Sequence, residues 1–160
     1  MAAKFTDILH LGIVVRDLEK TVAIYENELG IGPWTIDEPA EFFKDKIKND
    51  PRGLQIRTAI CRSIGYEIEL VQPIGPGFYQ DWLDEHGPSM HHVVMKSNLS
   101  YEEAIKLGEK LSPNSHYMDA VLPDGTPMVS YISLKEETGL ILECGAPHPD
   151  SLPPIEEVEK

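Results

Sequence analysis

Along residues 8–15 apolar and polar positions alternate: Leu9, Leu11, Ile13 and Val15 share one face, and His10, Gly12 and Val14 the other. That period of two predicts a strand. Asp17 then caps a predicted helix running to about Leu29, with Val22, Ile24, Tyr25 and Leu29 as its buried stripe and Gly30 as its stop. A second strand is expected over 31–36, interrupted by Gly32-Pro33. A charged stretch follows over 37–53, with Pro39 and Pro51, and reads as a long loop with a helical turn at 40–44. Strands over 54–62 and 66–72 form a hairpin through Ser63-Ile64-Gly65. In the latter, Ile68 and Leu70 face one way, and Glu67, Glu69 and Val71 the other.

After a short helix over 77–83, the same order begins again. A strand over 90–96 opens on His91-His92, and a helix over 100–111 follows. Three more strands are expected over 116–121, 128–134 and 140–145, with turns at 123–125 and Thr138-Gly139. Each half thus reads strand, helix, three strands, and Leu9-His10-Leu11-Gly12 has its counterpart in His91-His92-Val93-Val94. An α+β fold built from two similar βαβββ modules is expected, about 8–73 and 89–145, within one domain over 1–145. The proline-rich, acidic stretch 146–160 lies outside it as a tail.

Composition narrows the class. A hydrophobic content of 41% supports a packed core, and no run approaches the ~18 apolar residues of a membrane span. The first residues lack the apolar segment of a signal peptide. Cys61 and Cys144 sit on separate predicted strands and belong to no paired metal motif. A reduced, cytoplasmic protein is expected. The net charge of -13 speaks against a nucleic-acid partner, which needs clustered Lys and Arg.

Four residues of metal-ligating type stand at matching places in the two halves. His10 and His92 open the first strands, and Glu69 and Glu143 lie on the last ones. Each projects opposite an apolar row suited to packing on helices, so the four could meet inside one curved sheet. Two imidazoles and two carboxylates suit one divalent transition metal with positions left for water or substrate. Strict alternation places His91 with Val93 and Met95, on the face away from His92. On that register His92→Ala loses the metal and His91→Ala keeps most of it.

The segments around these residues resemble the vicinal oxygen chelate superfamily, which includes glyoxalase I, methylmalonyl-CoA epimerase, extradiol dioxygenases and antibiotic-binding resistance proteins. They are Leu9-His10-Leu11-Gly12-Ile13-Val14-Val15, Ile68-Glu69-Leu70-Val71-Gln72-Pro73, Gly87-Pro88-Ser89-Met90-His91-His92 and Gly139-Leu140-Ile141-Leu142-Glu143. The resemblance implies a cupped mixed sheet around a divalent metal held by His10, Glu69, His92 and Glu143. The metal itself is left open among Zn, Ni, Co, Mn and Fe. The segment Phe78-Tyr79-Gln80-Asp81-Trp82-Leu83 is similar to the epimerase branch, with lactoylglutathione lyase as the other near branch. Both imply proton transfer next to a carbonyl of a small carbonyl or thioester substrate, with the metal stabilising the oxyanion and a carboxylate moving the proton. Glu143 is then ligand and catalytic base.

The epimerases resemble a two-base design, and Gln55 falls where the second glutamate is expected. An amide there binds or orients substrate without accepting a proton. Glu67 is the substitute base on parity, against a plainer reading as an exposed strand-end carboxylate. Arg57 ends a basic concentration that also holds Lys44, Lys46, Lys48 and Arg52, suited to a substrate carboxylate or a CoA phosphate. A homodimer is expected from the family and from the open edges of a paired-module sheet. Two other readings stay open: an Fe(II) dioxygenase using two histidines and one glutamate, and a metal-free small-molecule binder.

Overall fold

A computed structural model describes residues 3–37, 47, 50–121, 125 and 127–144. The elements follow the expected order. The first module comprises β1 (Phe5–Val14), α1 (Leu18–Asn27), β2 (Thr35–Asp37), β3 (Ile56–Cys61) and β4 (Glu67–Pro73). A connecting helix, α2 (Phe78–His86), precedes β5 (Ser89–Ser97), α3 (Tyr101–Leu111), β6 (His116–Val121) and β7 (Pro127–Leu134). A short α4 (Lys135–Thr138) stands where only a turn was expected, and β8 (Leu140–Cys144) closes the order. The helical turn expected at 40–44, most of the turn at 123–125 and the tail lie outside the described residues.

All eight strands join one sheet in the order β2-β3-β4-β1-β5-β8-β7-β6. The order is a mirror about the seam: β1 lies parallel to β4, β5 parallel to β8, and β1 antiparallel to β5. The four strands carrying the paired histidines and glutamates are therefore the four central ones. A mixed sheet of two βαβββ units is what the duplicated pattern called for.

Two apolar clusters cover the outer face. Leu18 and Val22 of α1 pack on Val15, Ala59, Ile68 and Leu70; Ala104 of α3 packs on Val93, Ile132, Leu134 and Leu142. Asp17 caps α1 by accepting from the Lys20 amide at 2.9 Å, and Ser100 and Glu103 form a reciprocal capping box on α3. Gly108 lets α3 sit close, since a Cβ there would lie 2.3 Å from Ile132 Cγ2. The buried stripe of α1 differs from expectation. Leu18, Val22 and Tyr25 face the sheet, whereas Ile24 and Leu29 are exposed. At 100° per residue Ile24 lies well off the stripe, and the helix ends before Leu29. The second strand is likewise shortened, beginning only at Thr35, beyond the cis Gly32-Pro33 bond.

The inner face carries the third cluster: Val14, Ile56, Val71, Met118, Tyr131 and Ile141, closed at one end by Tyr79 and Leu83 of α2. One irregularity on this face matters for the site. Gly12 pairs with His92 but Ile13 pairs with Met90, so His91 is an extra residue in β5, a β-bulge. Strict alternation therefore fails at His91. It does not point away with Val93 but lies buried among the rings of Phe78, Tyr79, Trp82 and Tyr131.

Candidate metal centre

His10 on β1, His92 on β5 and Glu143 on β8 bring their ligand atoms together on the inner face, and Glu69 on β4 approaches both histidines. His10 Nε2 lies 3.2 Å from His92 Nε2 and 3.3 Å from Glu69 Oε2. His92 Nε2 lies 3.0 Å from Glu143 Oε2 and 3.6 Å from Glu69 Oε2. Adjacent strands stand about 4.8 Å apart, so side chains from β4 and β8, three spacings apart, meet only because the sheet curves inward. The ligand atoms of His10, His92 and Glu143 all fall within 4.8 Å of one another.

These spacings fit a shared cation. With bonds of about 2.0–2.2 Å, neighbouring ligand atoms stand roughly 3.0–3.5 Å apart. The His10–His92 and His92–Glu143 separations are close to this, as are those from Glu69 to the two histidines. The mutually close group is His10, His92 and Glu143. Two imidazoles and two carboxylates are also a coherent donor set for a divalent transition metal.

Gly12 makes room for one member of the set. It shares the inner face with His10, and a Cβ there would lie 1.9 Å from His92 Cε1. The imidazole of His92 lies over bare backbone.

Glu67 corrects the sequence reading. It is 5% exposed, so it is not a solvated strand-end carboxylate, and it is already engaged. Its Oε1 lies 2.7 Å from His10 Nδ1 and its Oε2 accepts from Arg62 Nε at 2.6 Å. A carboxylate on the far nitrogen of a ligating histidine fixes the ring and its tautomer. Burial works against ionisation of Glu67, but His10 and Arg62 outweigh it and hold the carboxyl below its usual range. The shared parity of Glu67 and Glu69 was visible in the sequence. The parallel register that sets Glu67 opposite His10 was not.

In this field His10 holds a proton firmly. Burial pulls its pKa down, but Glu67, Glu69 and Glu143 outweigh that and raise it to about 10. A cation binding at His10 Nε2 must displace this proton. Below about pH 10, metal uptake should therefore release one proton, and apparent affinity should rise roughly tenfold per pH unit as the pH increases. Competition titrations at pH 6.5 and 8.5 check this, and equal affinities would contradict it. His91 is the opposite case: burial and then His92 push it down to about 2, so its ring is neutral.

The two substrate-binding candidates do not join the group. Arg57 shares a face of β3 with Ala59, which packs under α1, and its guanidinium pairs with Glu19 of that helix at 2.5 Å. The Gln55 side chain lies against Gly75, with its amide 3.4 Å from the Arg52 carbonyl. Arg52 in turn pairs with Asp50 and Asp81. On β3 the inward residues are Ile56, Thr58 and Ile60, the last two opposite Val71 and Glu69. None of them is a base.

Both cysteines are free, and among the described residues no helix is long and apolar enough to cross a membrane.

Comparison with solved structures finds the same fold. A methylmalonyl-CoA epimerase from Mycobacterium tuberculosis superposes with a TM-score of 0.55 at 20% identity, covering 89% of this chain and 90% of that one. A Streptomyces coelicolor methylmalonyl-CoA epimerase variant in complex with 2-nitronate-propionyl-CoA gives 0.55 at 18% identity, covering 87% and 95%. A hypothetical protein from Bacillus halodurans gives 0.56 at 18%, covering 86% and 91%. At such identities the likeness speaks for the fold alone. No curated protein matches the sequence significantly. The family model of the glyoxalase/bleomycin resistance protein/dioxygenase superfamily matches residues 9–110, well over half of the sequence, and the chain belongs to that superfamily.

Proposed function

We propose that the chain is a metal-dependent isomerase, epimerase or lyase that moves a proton next to the carbonyl of a small carbonyl or thioester substrate. The observation that carries this reading is the grouping of His10, His92 and Glu143 at coordination spacings on the inner face, with Glu69 beside both histidines as the fourth donor of the reading. Solved neighbours include a methylmalonyl-CoA epimerase in complex with methylmalonyl-CoA, which supports a thioester as the first substrate class to try.

The ion, when bound, supplies charge stabilisation to a substrate carbonyl oxygen. The residues do the rest. His10 and His92 anchor the centre from the two strands at the seam, and Glu67 holds the His10 ring. Glu143, at the edge of the donor set, accepts the substrate proton on a carboxylate oxygen and returns it. Among the residues of β3 and β4, Glu67 is tied to His10 and Arg62, Glu69 is a ligand, and no other carboxylate faces inward. That favours one-base chemistry, a lyase or one-base isomerase, over a two-base epimerase. Gln55 is then at most an orienting group.

The grouping of His10, His92 and Glu143 favours one further reading, the two-histidine, one-carboxylate set of an Fe(II) dioxygenase. Against it stands Glu69, near both histidine nitrogens. Screening thioesters and 2-oxo compounds for metal-dependent deuterium exchange, alongside oxygen uptake with catechols, separates the two. Exchange without oxygen uptake is the expected result, and oxygen uptake without exchange would overturn it. The active species is read as a homodimer, which sedimentation at micromolar concentration checks.

A further inference from the structure

The two histidines of the candidate centre are backed differently. His10 Nδ1 meets a carboxylate, Glu67. His92 Nδ1 meets another imidazole, with His91 Nδ1 at 3.0 Å. The far nitrogen of His91, Nε2, lies 3.2 Å from the Tyr117 hydroxyl. The bulge makes this contact possible: in a regular strand His91 would point to the opposite face from His92. The rings of Phe78, Tyr79, Trp82 and Tyr131 then fix the His91 plane, with centroids at 6.1, 4.9, 4.8 and 5.1 Å.

We propose that His91 is a positioning residue that holds His92 in its Nδ1–H tautomer, and that Tyr117 anchors His91 in turn. The inference rests on the metal reading above. If Nε2 of neutral His92 offers its lone pair to a cation, its one proton sits on Nδ1. The only role left to His91 Nδ1, 3.0 Å away, is acceptor. A neutral His91 then carries its proton on Nε2 and donates to the Tyr117 oxygen. Each step forces the next, and the chain runs in one direction from the metal to the tyrosine.

This reverses the expectation drawn from strict alternation, in which His91→Ala leaves the metal site nearly intact. Outer partners of metal-ligating histidines affect affinity by about 10–100-fold, and His91 now belongs to that class. Packing and hydrogen bonding make opposite forecasts for two substitutions. Leucine fills an aromatic cage but accepts nothing. Asparagine fills it poorly, yet its Oδ1 occupies the place of the histidine Nδ1 and accepts.

The test has one arm without mutation. In zinc-loaded wild type, a two-bond proton–nitrogen spectrum should show His92 protonated on Nδ1 and His91 on Nε2. In the second arm, His91→Leu should weaken zinc binding about 10–100-fold, and His91→Asn should restore most of the loss. His91 protonated on Nδ1 in the zinc-loaded protein, or leucine binding zinc as well as asparagine, would overturn the proposal while leaving the metal centre standing. A wild type that binds no zinc or other divalent ion would remove the metal reading and this inference together.

Discussion

Replacing Glu143 by glutamine should lower solvent-deuterium exchange into an active substrate by about 100-fold or more, without emptying the site. Glutamine keeps a side-chain oxygen for the cation but has no basic lone pair of carboxylate strength. The effect should fall on the proton-transfer step, so metal content stays near that of wild type while exchange is lost. The expectation follows from the inner face of the first module, where β3 presents Ile56, Thr58 and Ile60 and no base. Exchange surviving in metal-loaded Glu143→Gln would reject Glu143 as the base. The companion variant, Gln55→Glu, asks whether a second base was lost. A large gain of epimerisation would support that account. No gain is expected if the Gln55 side chain stays against Gly75, as observed.

Gly12→Ala should be nearly as severe, through a different cause. The added methyl would stand 1.9 Å from Cε1 and 2.2 Å from Nε2 of His92, far inside van der Waals contact. The imidazole cannot yield in place, because His91 holds its Nδ1 and the Tyr131 ring lies 4.9 Å away. Either His92 leaves its place in the donor set or β1 shifts against β5. Both outcomes break up the cluster of His10, His92 and Glu143, so the variant should lose metal and activity together. The helices α1 and α3 and the outer clusters they cover lie on the other side of the sheet, and the variant's far-ultraviolet circular dichroism should stay close to wild type. Gly12→Ala binding metal with wild-type affinity would show that the ring position is not critical.

Much of this was open to inspection in the sequence. The alternation over 8–15, 66–72 and 140–144 put His10, Glu69 and Glu143 opposite apolar rows. The structure sets those rows as expected, with Ile68, Leu70 and Leu142 under the helices. What escaped depended on pairing between distant strands. A bulge such as that at His91 arises from the register of β5 against β1 and leaves no mark in local periodicity. The partnership of Glu67 with His10 likewise needs the parallel register of β1 and β4. Arg57 escaped for another reason. Leu54, Ile56, Ala59 and Cys61 are buried on both faces of their segment, so composition did not reveal which side faced the cup. The packing of Ala59 under α1 and the pairing of Arg57 with Glu19 show Arg57 on the side of that helix.

The most direct test is metal stoichiometry. The chain should be stripped with chelator, reloaded with one divalent ion at a time, dialysed and analysed for metal alongside His92→Ala. One ion per chain in wild type, and none in a folded His92→Ala, is the result expected of a centre built from His10, Glu69, His92 and Glu143. A wild type that retains no divalent ion, or a His92→Ala that retains one, would contradict it.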